Sequence, residues 1–162
     1  MDNKTNGINE VRIETLGAMR VGCYRSVCQE PETEGGAKLD AWLERQAPLP
    51  QPVRHFGFDV DVSPEQAQAG LRGYEVWSTV GEGTPSSESV EVKDFPGGLY
   101  ATALLVHPFD DPYGKIPQAW KALHEWVIAS DQYRGGCHQW LEELIHDGEG
   151  NSLKLYYPVN PV

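Results

Sequence analysis

Polar and apolar residues alternate along several short stretches of this chain, which is the pattern of β-strands that bury one face. Residues 11–16 alternate in this way, and a second run of the same kind covers 19–27 after Gly17. Two strands separated by so short a break predict a β-hairpin. The preceding residues 1–10 are largely polar and include a glycine, so they predict a flexible N-terminus.

A helix is predicted between the second and third strands. Residues 29–36 are rich in Pro, Glu and Gly and predict a loop. Leu39, Trp42 and Leu43 then occupy one face of a helix, which is expected to end before Pro48. Two further alternating stretches predict strands at 55–60 and 74–80.

The same order of elements recurs after a linker at 81–89, which is rich in Gly and Ser. Residues 90–95 repeat the alternation of 11–16, and Gly97 repeats the position of Gly17 at an offset of 80 residues. A second helix is predicted because four apolar residues at spacings of four, three and four fall on one helical stripe. These residues are Ile116, Trp120, Leu123 and Val127. Further strands are predicted at about 138–145 and 153–159.

Two repeats of the order strand, strand, helix, strand, strand are therefore predicted, at about 11–80 and 90–159, within a single domain that covers 11–162. Neither repeat covers the apolar face of its strands alone, so we expect the two to pair about a pseudo-twofold axis. The predicted fold class is α+β, with an antiparallel sheet and two helices packed on one face. A groove between the two repeats is the expected ligand site, because ligand sites favour such junctions.

The acidic composition limits the classes of function. The 162 residues include 24 Asp and Glu against 13 Lys and Arg, which gives a formal net charge of −11. Because this charge repels a polyphosphate, direct binding of nucleic acid is not expected. No stretch approaches the roughly 18 apolar residues of a membrane span, and the start lacks the apolar core of a signal peptide. We therefore expect a cytoplasmic protein that crosses no membrane.

The sequence contains no motif that indicates a metal or a cofactor. Cys23, Cys28 and Cys137 lack the paired spacing of a zinc site and are predicted to be reduced thiols. The five histidines are scattered, and no two of them have the i, i+4 spacing of a helical metal site. A P-loop, a dinucleotide fingerprint and a nucleophile elbow are also missing from the sequence. We expect no metal and no cofactor.

Three short motifs in the second half occur in an order that is typical of one family. Phe-Pro-Gly-Gly-Leu-Tyr-Ala at 95–101 predicts a hairpin, Tyr-Gly-Lys-Ile-Pro-Gln-Ala-Trp at 113–120 opens a helix, and an acidic strand precedes Leu-Tyr-Tyr-Pro-Val at 155–159. In this order, and over about 11–159, the chain resembles the GyrI-like small-molecule-binding family. That family supplies the effector-binding domains of AraC-type and MerR-type multidrug regulators of transcription. No helix-turn-helix pattern accompanies the motifs, so we expect a free-standing module.

The resemblance implies a glutamate in the penultimate strand that meets the positive charge of lipophilic cations, and Glu142 matches that position. Residues i and i+2 of a strand share a face, so Trp140 stands beside Glu142, whereas Glu143 lies on the other face. Glu143 is expected near the rim of a core face, and whether it rather than Glu142 faces the groove stays open. The other predicted ligand-binding residues are Trp77, Tyr100, Tyr156, Phe56 and Tyr24.

Three functions are compatible with these residues. The first is a protein that binds lipophilic, mainly cationic small molecules in an aromatic groove around Glu142, to sense or sequester drugs or toxins. The second is a hydrolase that detoxifies electrophilic, cyclopropane-bearing molecules with the same glutamate. The third is a partner protein that acts on a regulator or, as an inhibitor, on DNA gyrase. Lys154 shares a strand face with Tyr156 and weakens a preference for cations, whereas the net charge favours them. We rank the binding protein first.

Overall fold

The computed structural model describes residues 8–46, 49–147 and 150–162, and these residues form nine strands, three α-helices and a 3₁₀-helix. They divide into two units: unit 1 holds the residues up to Gly17 and from Gly97 onward, and unit 2 holds Ala18–Pro96. The strands are β1 (Arg12–Leu16), β2 (Met19–Cys28), β3 (His55–Val60), β4 (Arg72–Thr79), β5 (Glu91–Phe95), β6 (Gly98–Val106), β7 (Tyr133–Gly135), β8 (Leu141–Asp147) and β9 (Gly150–Pro161). The helices are α1 (Pro31–Leu43), α2 (Pro64–Gln68) and α3 (Pro112–Ala129), with the 3₁₀-helix at Pro108–Asp110.

In unit 1, β1, β6, β9 and β8 lie side by side in that order, and neighbouring strands are antiparallel. The short strand β7 pairs with the end of β9. Helix α3 packs on one face of this sheet through Ala119, Leu123 and Val127. The facing core residues come from alternate positions of β6 and β9, because every second side chain of a strand points to the same face. They are Ala101, Ala103, Leu105, Leu153, Leu155, Tyr157 and Val159.

In unit 2, β3, β4, β2 and β5 lie side by side in that order and are again antiparallel. Helix α1 packs on one face, where Leu39 and Trp42 form a core cluster with Val80 and Val90. Gly22 of β2 lies under the Trp42 indole, and a Cβ at this position would come within 2.8 Å of the ring. The close approach of the helix to the sheet therefore depends on this glycine.

Neither predicted hairpin, at 11–27 or at 95–101, forms among these strands. Strand β1 pairs with β6, and β2 pairs with β5. Each sequence repeat therefore contributes its first strand to the unit that contains the rest of the other repeat. The hairpin predictions are wrong because alternation identifies a strand and its buried face but carries no information about its partner.

The offset between the repeats is 79 residues and not the 80 predicted. Strands β1 and β5 have the same pattern of buried and exposed residues, and their first residues, Arg12 and Glu91, are 79 positions apart. Strands β2 and β6 begin at Met19 and Gly98, which gives the same offset. This difference matters, because a shift of one residue moves every side chain of a strand to the opposite face.

Helix α1 begins at Pro31, so the loop predicted at 29–36 is wrong. Proline is favoured in the first turn of a helix, and two glutamates in this turn complement the helix dipole. Gly35 packs against the sheet, where a Cβ would lie 3.3 Å from the Val76 side chain. Residue types that are typical of a loop therefore start this helix and bring it close to the sheet.

The remaining elements agree well with the predictions. Strand β3 covers the predicted residues 55–60, α3 contains the predicted apolar stripe, and β4 begins two residues before the predicted strand. Strand β8 begins at Leu141 rather than at about 138, and β9 extends beyond its predicted ends. The α+β class is confirmed, with antiparallel strands and one long helix packed on the sheet of each unit. In the part of the chain that the structure describes, no helix is both long and apolar enough to span a membrane.

The start of the described chain is attached to unit 1. Ile8 forms an isolated β-bridge with Leu105, and the amide of Leu104 donates a hydrogen bond of 2.7 Å to Asn9 Oδ1. The amide of Asn9 donates in turn to the Leu104 carbonyl. The flexible N-terminus predicted for 1–10 stays a prediction: residues 8 and 9 are bonded to β6, and residues 1–7 lie outside the described chain.

Candidate functional site

The sheet of unit 1 has a second face, which points away from α3 and carries polar and aromatic side chains. The register places these residues opposite one another on neighbouring strands: Tyr156 pairs with Thr102, and Lys154 pairs with Glu143. We call this surface the polar face of unit 1. Its members are Glu14, Tyr100, Thr102, Glu143, Lys154 and Tyr156.

A buried carboxylate lies on β8, at one side of the polar face of unit 1. Glu143 is only 4% exposed, and the Tyr156 hydroxyl donates a hydrogen bond of 2.5 Å to its Oε1. Short bonds of this kind, in which an O–H group meets a carboxylate, are among the stronger hydrogen bonds of proteins. Burial also strengthens the attraction between this carboxylate and any positive charge that approaches it, because the local dielectric is low.

Two tyrosine rings lie beside this carboxylate. The rings of Tyr156 and Tyr100 meet edge to face, with centroids 5.5 Å apart. The Tyr100 hydroxyl donates to the Gln139 carbonyl at 2.6 Å, and burial raises the pKa of Tyr100 to about 12. Tyr100 therefore remains neutral at physiological pH, and the carboxylate lies next to aromatic surface that carries no negative charge of its own.

An ion pair adjoins the rings. Lys154 Nζ lies 2.9 Å from Glu14 Oε2 and 5.3 Å from the centroid of the Tyr156 ring. The Thr102 hydroxyl also donates to Glu14. Burial acts to raise the pKa of Glu14, but the bonds from Thr102 and Lys154 and the positive charges of Lys154 and Arg12 outweigh it, so this pKa is lower than usual.

Glu142 lies on the opposite face of the same sheet, beside α3. The Trp120 indole donates a hydrogen bond of 2.9 Å to Glu142 Oε1. Trp140, which is 41% exposed, contacts the Trp120 ring at 5.5 Å between centroids and the Tyr157 ring at 4.1 Å. Glu142 and Trp140 thus belong to an aromatic cluster at the edge of the helix, on one side of the sheet as predicted.

The predicted site residues of unit 1 therefore fall into two groups. Tyr100 and Tyr156 lie on the polar face of unit 1 with Glu143, whereas Glu142 and Trp140 lie on the face of α3. The expectation that Glu142 stands beside the two tyrosines is wrong. Its physical reason is the register: Glu142 is opposite Leu155, a core residue under α3, and Glu143 is opposite Lys154.

Unit 2 carries the other three predicted residues. Trp77 and Phe56 are buried and lie opposite one another on β4 and β3, on the face that points away from α1. Tyr24 packs against the core cluster under α1 and is therefore on the other face. The Trp77 indole donates a hydrogen bond of 2.6 Å to Glu75, a buried glutamate that the sequence analysis did not single out.

A signal in the sequence exists for Glu75, which lies two residues before Trp77, an aromatic residue with a donor group, on the same strand. Glu143 has no such local signal, because its donor Tyr156 lies on the neighbouring strand, 13 positions away. Buried carboxylates need such donors. No group of three or more His, Cys, Asp or Glu side chains is placed to hold a metal ion within the described ranges.

Residues 12–159 match the sequence model of a family described as "Cass2: Integron-associated effector binding protein". No curated protein sequence matches the chain at a significant level.

Several solved structures share the fold. The C-terminal domain of EcmrR has a TM-score of 0.74 and 14% sequence identity, with 94% of this chain and 98% of that chain covered. The EcmrR–DNA complex in EcmrR-RPo has a TM-score of 0.70 and 16% sequence identity. The match covers 94% of this chain and 58% of the EcmrR chain. The structure of SAV2435 bound to tetraphenylphosphonium has a TM-score of 0.51 and 10% sequence identity, with 94% of each chain covered.

Proposed function

Because the chain belongs to the Cass2 family of integron-associated effector binding proteins, we propose that it binds a small-molecule effector on the polar face of unit 1. The observation that carries this proposal is the buried carboxylate of Glu143, which accepts a hydrogen bond from Tyr156 next to the ring of Tyr100. A carboxylate that is held in place among aromatic rings is suited to a positively charged group with apolar substituents.

The proposed effector is a lipophilic cation. The carboxylate supplies charge attraction in a site of low dielectric, and each ring face in contact with the cation adds roughly 0.5–2 kcal/mol. The formal net charge of −11 raises the concentration of cations near the protein. Support also comes from SAV2435, a protein of the same fold that is bound to tetraphenylphosphonium, a cation of this kind.

Each residue of the polar face of unit 1 has a proposed role. Glu143 is the charge partner of the effector, Tyr156 holds the carboxylate in place, and Tyr100 provides aromatic contact surface. Lys154, with its positive charge above the Tyr156 ring, opposes a second positive charge and so favours effectors with a single one. The parts of Trp77, Phe56 and Tyr24 in effector binding stay predictions. Effector occupancy would serve sensing, by analogy with EcmrR, whose C-terminal domain has this fold and which forms a complex with DNA.

Two neighbouring glutamates provide a matched test. Glu143→Gln removes the charge from the polar face of unit 1, and Glu142→Gln removes the same charge from the face of α3. We expect Glu143→Gln to weaken the binding of tetraphenylphosphonium by about 1–3 kcal/mol, because a buried charge partner is lost. Glu142→Gln should leave binding nearly unchanged. Isothermal titration calorimetry measures both, and circular dichroism checks that each variant is folded.

A neutral ligand separates charge recognition from shape recognition. Triphenylphosphine oxide resembles the cation in its aromatic groups but has no net charge, so Glu143→Gln should alter its binding much less. The proposal is overturned if Glu142→Gln abolishes binding of the cation while Glu143→Gln does not, since the effector would then lie beside α3. It is also overturned if wild type binds the cation and the neutral ligand equally well.

A second candidate function follows from the same short hydrogen bond. A carboxylate that a phenol hydroxyl holds in place can act as a general base toward water, which is the reaction step that a hydrolase for electrophilic compounds needs. Turnover distinguishes this candidate: product has to accumulate beyond one equivalent per chain and has to be lost in both Glu143→Gln and Tyr156→Phe. An effector that is recovered unchanged after binding supports the binding function alone.

A further inference from the structure

The two units place corresponding residues at the same positions of their sheets. Trp77 lies opposite Cys23 in unit 2, as Tyr156 lies opposite Thr102 in unit 1, and both pairs differ by 79 positions. Glu75 likewise corresponds to Lys154, two residues earlier on the same strand. Phe58, which lies opposite Glu75, corresponds to Glu143, which lies opposite Lys154.

Each unit has an ion pair beside its aromatic residue, Tyr156 or Trp77, but the positions of the acidic and the basic partner are exchanged between the units. In unit 1 the carboxylate is on β1 (Glu14) and the ammonium is on β9 (Lys154). In unit 2 the ammonium is on β5 (Lys93) and the carboxylate is on β4 (Glu75), with 3.5 Å between Nζ and Oε2. The positions again correspond, because β1 and β5 differ by the same 79 residues.

The Lys93 ammonium in unit 2 therefore has the surroundings of a bound cation. Its Nζ lies 5.0 Å from the centroid of the Trp77 ring, within the range of a cation–π interaction. The same indole donates its N–H to Glu75, which is the carboxylate that Lys93 contacts. Trp77 is 2% exposed, and Phe58 and Phe95 contact its ring at 5.4 and 5.2 Å between centroids. A ring, a buried carboxylate and an ammonium thus form a complete cation-binding arrangement.

Arg25 supplies a second positive charge to the same carboxylate. Its Nε donates to Glu75 Oε1 at 3.0 Å, so both carboxylate oxygens have cationic partners. The Lys93 ammonium occupies the position over the Trp77 ring that an external cation would need. Such a cation would also be repelled by Lys93 and Arg25, which are two positive charges beside the single negative charge of Glu75. The site is therefore closed to cations as long as Lys93 is present.

We propose that Lys93 is a specificity-determining residue: it acts as a tethered cation that occupies a latent cation site on Trp77 and Glu75, and so confines cationic effectors to the polar face of unit 1. This inference rests on the proposed function, because confinement of cations to the polar face of unit 1 requires that this face binds a cationic effector. The latent site would take a small quaternary ammonium group, which matches the lysine ammonium in charge and would approach from the solvent side, where the Lys93 side chain is 39% exposed.

Substitution of Lys93 tests the inference, with tetramethylammonium chloride as the probe. We expect Lys93→Met to bind tetramethylammonium about tenfold more tightly than wild type, as a single new cation–π contact with a nearby carboxylate allows. The indole N–H resonance of Trp77 should shift during the titration, which locates the bound cation. Lys121→Met, on the exposed surface of α3, is the matched control for loss of one positive charge and should behave as wild type. Sodium chloride at equal ionic strength corrects for general salt effects.

A second neutral variant protects the test against misfolding. Lys93→Gln keeps a polar group at the end of the side chain. It replaces Lys93→Met in the titration if the circular dichroism spectrum of Lys93→Met differs from that of wild type. The inference is overturned if the folded variant binds tetramethylammonium no better than Lys121→Met, or if the Trp77 resonance does not move. Tetraphenylphosphonium is titrated in parallel: its dependence on Glu143 tests the proposed function separately, so failure of one proposal is distinguishable from failure of the other.

Discussion

The three cysteines of the chain differ in what their surroundings do to the thiol. Burial raises the pKa of Cys23 to about 12. At Cys28 a side-chain hydrogen bond with Glu34 raises the pKa, whereas Cys137 is exposed. Since the thiolate is the form that reacts with electrophiles, a raised pKa makes a thiol less reactive at neutral pH.

We therefore expect iodoacetamide to modify Cys137 first in the native protein at about pH 8, and Cys23 more slowly by on the order of a hundredfold or more. Mass spectrometry of the peptides after timed labelling measures both rates. In urea, where burial is lost, Cys23 and Cys137 should react at similar rates. Equal rates in the native protein would show that Cys23 is neither buried nor protonated as described.

At the residue scale, the sequence limits the candidates for the acidic site residue to Glu142 and Glu143 but cannot choose between them. Alternation shows that Glu142 and Glu143 point to opposite faces, and the family resemblance selects the strand. The choice depends on which residues of β9 lie opposite, and only the register gives that information. Leu141 and Ile145 lie on the same face as Glu143, so the local pattern predicts an apolar face. The hydrogen bond from Tyr156 cannot be read from this pattern, because Tyr156 is 13 positions away.

Helix α1 illustrates how packing can override the preference of individual residues. Two consecutive glycines, Gly35 and Gly36, lie in its second turn, although glycine is unfavourable inside helices. A Cβ at position 35 would lie 3.3 Å from Ser26 and Val76, whereas a Cβ at position 36 would have no atom within 4 Å. Only the first of the two glycines is therefore required for packing.

The pair provides a matched test of this difference. Gly36→Ala should stabilise the protein by about 0.5–1 kcal/mol, because alanine has the higher helix propensity and meets no neighbour. Gly35→Ala should gain less or lose stability, since the methyl group has to displace the side chains of Ser26 and Val76 by a few tenths of an ångström. Urea unfolding of both variants measures the free energies. Equal gains at both positions would contradict the close packing of α1 on β2 and β4.

Elements could be predicted from the sequence where their pattern is local. The residues of β3 and the apolar stripe of α3 agree with their predictions, because alternation and helical spacing are written in consecutive residues. The partners of β1 and β5 could not be predicted, since pairing depends on residues more than sixty positions away. The start of α1 was missed because Pro31 and Gly35 are typical of loops when their neighbours in the sheet are unknown.

The stability of the whole molecule should depend on pH through Glu14. Its pKa is lower in the folded protein than its ordinary value, so the unfolded chain binds more protons at mildly acidic pH. The ion pair with Lys154 therefore stabilises the fold above the pKa of the unfolded chain. This contribution is lost as the pH falls through the lower pKa of the folded protein.

The comparison of wild type with Glu14→Gln isolates this effect. We expect the variant to have the smaller free energy of unfolding at about pH 7 and the difference to shrink at about pH 3, because Glu14 takes up protons as the pH falls below its ordinary pKa. Urea denaturation at the two pH values measures the difference. Glu125→Gln, an exposed substitution on α3, is the control and should show little change. A difference that is the same at both pH values would rule out the ion pair as its source.

At the scale of the molecule, the sequence supports the class of fold and the class of function. The order of motifs from Phe95 to Val159 indicated the family, and the match over 12–159 confirms an effector-binding protein. The repeat was visible, but its offset was wrong by one residue because a comparison of glycines aligns Gly97 with Gly17, whereas the offset of 79 places Pro96 at that position. Burial patterns of complete strands remove this ambiguity.

The exchange of first strands also affects how the protein is made. On the ribosome, β2 emerges long before β5, so one edge of β2 stays without its neighbour until Phe95 has left the exit tunnel. Strand β1 waits in the same way for β6. Bare strand edges are prone to pair with other chains. A gene fragment that encodes only the first eighty residues would therefore be translated into a polypeptide with an open edge, and such products are candidates for self-association during synthesis.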